Sequence, residues 1–225
     1  MKMIHFIWLD PLEDKSIDSI PDFAKRNIDR FLELHPNYAA ILWDHAKILR
    51  DFEDQPNLLQ AFKNCRFEAM KSDLMRVAII AKYGGVYSDL KNEPSRPFLD
   101  EIIGSSSPVI LEHPPTIKNY NGILCNAFLH DQQGSPFCSK VAAAITGNVL
   151  ARRTEGGVIN VTGINVWKRE LFKLSKDEYI VIPSVVAWNY FDSNGWMKRS
   201  SATYNGNDMS LHWSRRQKTE SLYNE

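Results

Sequence analysis

Asp73 and Arg76 stand three residues apart in Ser72-Asp73-Leu74-Met75-Arg76, and shortly afterwards Tyr83-Gly84-Gly85-Val86-Tyr87-Ser88-Asp89-Leu90-Lys91 brings a second group of polar side chains. A helix would place the first pair on one face, and period-2 alternation along a strand from Val86 to Leu90 would point Tyr87, Asp89 and Lys91 the same way. The chemistry open to such a set is the handling of phosphate charge. A carboxylate at a strand end offers hard oxygen ligands to Mg²⁺ or Mn²⁺, the ions that bridge phosphates. Each piece also has a plainer reading. Turns favour Asp at strand ends, and Asp73 with Arg76 could be a surface helix pair worth about 0.2 to 0.5 kcal/mol.

The elements that would hold these residues follow from periodicity. Met3 to Leu9 is a continuous apolar run, as expected of a strand covered on both faces of a parallel sheet, and Asp10-Pro11 ends it. A helix follows Ile20-Pro21, with Phe23, Ile28, Phe31 and Leu32 at helical spacing and His35-Pro36-Asn37 as its stop. Tyr38 to Trp43 reads as a second strand with Asp44 at its carboxyl end, where open α/β sheets collect ligands. One or two short helices between Ala46 and Phe62 precede a long helix from Arg66 to Lys82, whose Met70, Leu74, Val77 and Ala81 make an apolar stripe. Gly84 suits a left-handed helix stop, and Gly85 a sharp turn into the strand.

Beyond that strand the pattern is less regular. Asn92 to Pro97 reads as a loop, Phe98 to Ile103 as a short helix, Pro108 to Glu112 as a strand, and His113 to Gly122 as irregular. Leu124 to His130 is compatible with a strand or a helix start. Pro136 to Leu150 is helical, Thr154 to Gly163 a loop with Val158 to Val161 extended, Val166 to Leu174 a helix, and Tyr179 to Ile182 a strand. Loops and short strands are expected from Trp188 to Trp213. No period of 20 to 50 residues recurs.

The 225 residues are expected to form one α/β domain over positions 1–225, able to bury roughly 70% of the unfolded surface without a disulfide or structural metal. Lysine plus arginine and aspartate plus glutamate each number 27, so no excess charge points to nucleic acid or an anionic membrane. Cys65, Cys125 and Cys138 lack metal spacing and fit reduced, buried thiols in the cytoplasm. The apolar opening is too short for a signal peptide core, and no run reaches a transmembrane length. A peripheral membrane contact stays open.

The motif Ser72-Asp73-Leu74-Met75-Arg76 followed by Tyr83-Gly84-Gly85-Val86-Tyr87-Ser88-Asp89 closely resembles the SDxxR…YGGxYxD signature of glycosyltransferase family 32, the DXD-containing sugar transferases related to the large clostridial glucosylating toxins. Ile4-His5-Phe6-Ile7-Trp8, Pro36-Asn37-Tyr38 with Trp43-Asp44, Thr162-Gly163 and His212-Trp213 are similar to further pieces of that family, in order. The resemblance is dense from Met3 to Asp89 and thin afterwards.

The resemblance implies a GT-A-like, Rossmann-like fold with a mixed, mostly parallel central sheet flanked by helices. It implies a retaining transfer of a hexose from a UDP- or GDP-sugar to a hydroxyl of a glycan or lipid-linked glycan acceptor, as in capsule or lipopolysaccharide assembly, with Mn²⁺ or Mg²⁺ as cofactor. Under it Trp8 stacks on the nucleobase, Asp73 and Arg76 hold donor-sugar hydroxyls, and Tyr87 and Asp89 contact ribose, sugar or metal. His212 approaches metal or diphosphate. The catalytic set is then Asp73, Arg76 and Asp89, and the metal set Asp89 and His212.

Lys91 departs from this pattern, because it occupies the position of the second DXD carboxylate, and an ammonium repels a cation. Three readings stay open at this point. Lys91 itself pairs with the diphosphate in a metal-independent enzyme; Glu93 takes over metal ligation if the strand continues; or the chain binds sugar nucleotides with little turnover. A toxin-like effector that glycosylates a protein is a further alternative, with little room for acceptor-recognising helices. His5 is expected to be a satisfied core histidine.

Overall fold

The computed structural model describes residues 2–9, 20–113, 123–189, 194–200, 210 and 212–224. The turn expected at Asp10-Pro11, the irregular segment from 114 to 122 and most of the stretch from 190 to 211 lie outside them.

Apolar runs form the centre of the sheet, as their composition requires. Strand β1 (Lys2–Ile7) pairs in parallel with β2 (Tyr38–Trp43) on one side and with β3 (Gly85–Ser88) on the other. Strand β3 pairs antiparallel with β6 (Leu124–Asp131), which continues antiparallel to β5 (Val109–Glu112); β5 pairs in parallel with β7 (Ile180–Ile182). The order is β2-β1-β3-β6-β5-β7, a mixed α/β sheet of the expected class. The ambiguity at Leu124 is thus settled as a strand.

Alternation along β1 divides the interior into two cores. Ile4 and Phe6 join Val86 and Phe31 beneath α1 (Asp22–Leu34), whereas Ile7 joins Trp43, Met75 and Tyr87 on the opposite face. On that second face lie α2 (His45–Asp51), α3 (Pro56–Asn64) and α4 (Glu68–Tyr83), to which α6 (Pro136–Leu150), α7 (Gly157–Val161) and α8 (Ile164–Leu171) are added. α5 (Leu99–Ile102) and α9 (Ser184–Ala187) lie with α1. Asp44, the residue after β2, caps α2 by accepting from the Lys47 amide at 2.7 Å, so its role there is structural.

Three expectations about the later elements are corrected. Val158 to Val161 is helical, because Gly156 enters α7 with φ of 74° and the β-branched Val158 and Val161 then fall one turn apart on a buried face. Asn92–Pro94 forms a strand, β4, rather than a loop. It pairs antiparallel with β8 (Met197–Arg199), a partner more than 100 residues away that no local pattern reveals. Strand β3 also stops at Ser88, before Leu90. Asp89 opens a turn closed by the Asn92 amide on the Asp89 carbonyl at 3.0 Å, so Lys91 does not continue a row set by strand alternation.

The turn between α4 and β3 fixes how these two elements meet. Gly84 and Gly85 have φ of 65° and 96°, and a Cβ on Gly85 would lie 2.7 Å from the Met3 carbonyl oxygen. Fully buried His5 locks the same turn: its Nδ1 accepts from the Trp43 indole at 3.1 Å, which leaves the other nitrogen, 3.0 Å from the Gly84 carbonyl, to donate. Burial pulls the His5 imidazole down to about 4, against the Gly84 hydrogen bond and with a smaller push from Lys47, so it is a neutral, satisfied core histidine as expected. The three cysteines are buried and unpaired, and burial pushes Cys65 up to about 12.

Two outcomes follow for stability. Gly85→Ala, with a disfavoured φ and a backbone clash, should lower the unfolding free energy by roughly 2 to 4 kcal/mol in urea titrations. The unfolded chain takes up a proton on His5 near pH 6.5 and the folded chain only near 4, so stability should fall as pH drops across that window, by about 3 kcal/mol from this group. A His5→Gln variant, less stable at neutral pH, should show a flatter decline between pH 6.5 and 4.

Candidate functional site

Ten residues of α4 are buried, among them Asp73 and Arg76. These two are therefore no surface pair: each is 6% exposed, on the helix face that packs under β3 and β6. Asp73 accepts at one carboxylate oxygen from the Asn126 side-chain amide (2.8 Å) and at the other from the Thr162 hydroxyl (3.1 Å). Arg76 Nη2 lies 3.2 Å from Asp73, and Nη1 lies 3.4 Å from Asp89. Nη1 also donates to the Asn126 carbonyl, and Nε to the Ser72 carbonyl at 3.1 Å. The guanidinium sits over the Tyr87 ring, 4.9 Å from its centre.

Burial dominates the electrostatics here. It pushes the Asp73 carboxyl upward, against the opposing pull of Arg76 and of the Thr162 and Asn126 hydrogen bonds. Burial also works against the Arg76 charge, but Tyr87, Asp89 and Asp73 together outweigh it and hold the guanidinium above its ordinary value. A buried cation shared by two carboxylates is thus kept charged.

Asp89 stands at the carboxyl end of β3, its amide held by the Ala127 carbonyl at 2.8 Å. Its Oδ1 accepts from the Tyr87 hydroxyl at 2.7 Å, and its Oδ2 from Arg199 Nη2 at 3.3 Å. Trp8 lies just past the end of β1, with its amide on the Trp43 carbonyl at 2.9 Å and its side chain partly buried against the α1 core. The carboxyl ends of the parallel β1 and β3 therefore bring Trp8, Tyr87 and Asp89 to one edge of the sheet.

Lys91 is half-buried beside this group. Its carbonyl accepts from the Ser200 amide at 2.8 Å, and its ammonium is pulled below the usual lysine range by burial and by the Arg199 charge, with Asp89 pulling the other way. His212 caps the short helix α10 (Trp213–Arg216) through its ring. Burial and the nearby Lys91 charge lower its imidazole.

Glu93, a possible metal ligand if β3 had continued, is corrected by the register of β4 and β8. Asn92 faces Arg199 and Glu93 faces Lys198, so Glu93 points to the opposite side of the ribbon, in a 2.9 Å ion pair with Lys198. A DXD site implies a divalent cation. As arranged, the donors do not fit one: Asp89 is shared among Tyr87, Arg76 and Arg199, and Lys91 replaces the second carboxylate. Among the described residues no group of three or more His, Cys, Asp or Glu is arranged to hold a metal ion.

Two contributors escaped sequence reasoning. Asn126 was signalled only as a polar residue inside the apolar run from Leu124 to Leu129. Arg199 lies over 100 residues from Asp89 and gave no local signal. Thr162, noticed as part of Thr162-Gly163, supplies a direct bond to Asp73.

Comparison with known proteins agrees with this geometry. Residues 21–109 match the family model described as a glycosyltransferase sugar-binding region containing DXD motif, which bears out the resemblance across α4 and β3. Over 75 residues the chain is 36% identical to a mannosyl phosphorylinositol ceramide synthase of Saccharomyces cerevisiae, covering 32% of this chain and 19% of that protein. Over 176 residues it is 26% identical to the Subversion of eukaryotic traffic protein A of Legionella pneumophila, covering 67% of this chain and 26% of the relative. The chain thus spans less than a third of the length of either curated relative. Among solved structures, the PaToxG glycosyltransferase aligns with a TM-score of 0.56 at 16% identity, over 76% of this chain and 69% of that one. This likeness shows the fold, that of GT-A glycosyltransferases, and glycosyltransferase is the enzyme class to which all three comparisons point.

Removing the shared cation tests the network itself. Arg76→Met leaves Asp73 and Asp89 without their common buried partner and should cost about 3 to 5 kcal/mol in unfolding free energy. Asp73→Asn, which keeps one accepting oxygen for Asn126 and Arg76 and turns a donating amide to the Thr162 hydroxyl, should cost clearly less.

Proposed function

We propose that this protein transfers a hexose from a nucleotide-diphosphate sugar to a hydroxyl group of a glycan or lipid-linked glycan acceptor. The observation that carries the reading is the convergence of Asp73, Arg76 and Asp89 at the carboxyl end of β3, built inside the segment that matches the sugar-binding family model. Asp73 and Arg76 are each 6% exposed, and they are locked by Thr162, Asn126 and Tyr87. Buried charges held this firmly offer pre-organised hydrogen-bonding groups to a polyol, with little reorganisation when it binds.

In the reaction the bond between the anomeric carbon and the diphosphate oxygen breaks, and its electron pair leaves with the nucleoside diphosphate. The acceptor oxygen bonds to the same carbon, and its proton passes to the departing phosphate oxygen. We favour a same-face route with retained configuration, since neither Asp73 nor Asp89 is a free nucleophile: both are tied into the Arg76 network. Trp8 at the end of β1 is the platform we assign to the base. Mannose is the first sugar to test, because a Saccharomyces cerevisiae relative similar to this chain is by name a mannosyl phosphorylinositol ceramide synthase. The alternative of a sugar-nucleotide-binding module with little turnover rests on Lys91, and the same assay decides it.

The test is release of nucleotide from GDP-mannose and UDP-glucose, with and without candidate acceptors. Wild-type protein should turn over one donor, and Asp73→Ala should lower kcat/KM by about 100-fold or more. Unchanged turnover in that variant would remove Asp73 from the site; nucleotide binding without turnover would favour the binding module.

A further inference from the structure

We infer that Gln217 is a positioning residue for the donor sugar, acting through Val158 and Thr162 on the Asp73 carboxylate. The inference rests on the reading of the site as a nucleotide-sugar site and extends that site to the C-terminal segment.

A continuous run of hydrogen bonds joins the two ends. Gln217 directly follows α10, and its side-chain Oε1 accepts from the Val158 amide at 2.9 Å. The Val158 carbonyl in turn accepts from the Thr162 amide at 3.0 Å and from the Gly163 amide at 2.9 Å. Thr162 is fully buried and donates its hydroxyl proton to Asp73 at 3.1 Å. Gln217 therefore satisfies an amide in the first turn of α7, where no carbonyl of the helix itself is available, while the residue that ends α7 reaches the carboxylate. Gly157 leaves room for the first contact, since a Cβ there would lie 2.5 Å from Gln217 Oε1 and push the side chain aside.

The same C-terminal segment is anchored to the start of α4. The Arg66 amide donates to the Leu222 carbonyl at 2.9 Å, and the Asn224 amide to the Asn64 carbonyl at 3.0 Å. Arg216 is bidentate to Glu220, at 2.9 and 3.0 Å, and its guanidinium lies 5.0 Å from the centre of the Phe67 ring. Arg66 and Phe67 lead straight into α4, whose second turn carries Asp73. Residues 213–224 thus bridge the helix that carries Asp73 and the helix that delivers Thr162. A carboxylate placed by one helix and its donor by another keeps a fixed direction only while the two helices keep their separation, and a sugar hydroxyl needs that direction fixed.

Calorimetric titration of GDP-mannose and UDP-glucose, and of GDP and UDP alone, into the full chain separates this role from a general structural one, because only the sugar meets Asp73. Gln217→Leu should weaken binding of the nucleotide sugar that the wild type prefers by about fivefold, and leave the matching nucleoside diphosphate unchanged within about twofold. Gln217→Glu, which restores an accepting oxygen, should recover the lost affinity. Thr162→Val should show the same sugar-selective loss, and adding Gln217→Leu to it should bring no further one, since the two residues act in series. Equal losses for nucleotide sugar and nucleotide, additive losses in the double variant, or wild-type affinity in Gln217→Leu would each overturn the positioning role while leaving the nucleotide-sugar site in place. Failure of all four compounds to bind wild-type protein, with thermal unfolding showing that it is folded, overturns the nucleotide-sugar site and the role of Gln217 with it.

Discussion

Arg76 is the constraint on which the site depends. The residue is 6% exposed, and its guanidinium is met by Asp73, by Asp89, by the Asn126 carbonyl and by the Tyr87 ring, which belong to α4, the end of β3 and β6. A buried cation must be paired and hydrogen-bonded, so these elements cannot shift independently without stranding a charge. The helix, the strand end and the neighbouring strand are thereby held as one rigid unit, and the two carboxylates acquire fixed directions. His5 and the Gly84-Gly85 turn do the same work one layer below, by fixing the angle at which α4 feeds β3.

This arrangement divides the site into two parts of different character. Asp73 lies deep, bonded to Thr162 and Asn126, where burial raises the cost of any misplacement. Asp89 stands nearer the surface, between Arg76 and Arg199, with Lys91 beside it. The deep part suits uncharged hydroxyl groups that replace water by directed hydrogen bonds. The outer part, where Arg199 meets Asp89, suits the charged end of a donor. The ribbon of β4 and β8 joins the two by carrying Arg199 back over a turn that no parallel strand could supply.

Much of this was legible in the chain. The apolar runs of β1 and β2, the apolar stripe of α4 and the two glycines that follow it each obey local rules, and the strand from Tyr38 to Trp43 and the helix from Pro136 to Leu150 fall where the pattern places them. Asp73, Arg76, Tyr87 and Asp89 were visible because their spacing is local. Asn126 and Arg199 were not, because their contribution comes from pairing across long sequence separations. The β-branched Val158 to Val161 suggested an extended segment, yet packing of Val158 and Val161 on one buried face outweighed that preference. The row ending in Lys91 was extrapolated from strand alternation and failed where the strand ended, at the turn beginning with Asp89.

The central claim is that the Asp73–Arg76–Asp89 network is a donor site at the carboxyl end of β3. The most direct measurement is a crystal structure of the chain soaked with GDP-mannose or UDP-glucose in the presence of Mn²⁺. The account predicts sugar hydroxyls within hydrogen-bond distance of Asp73 and Arg76, the nucleotide at the carboxyl end of β3, and no manganese density between Asp89 and the phosphates. A nucleotide bound away from the carboxyl end of β3, or a manganese ion ligated by Asp89 with Lys91 turned away, would contradict it.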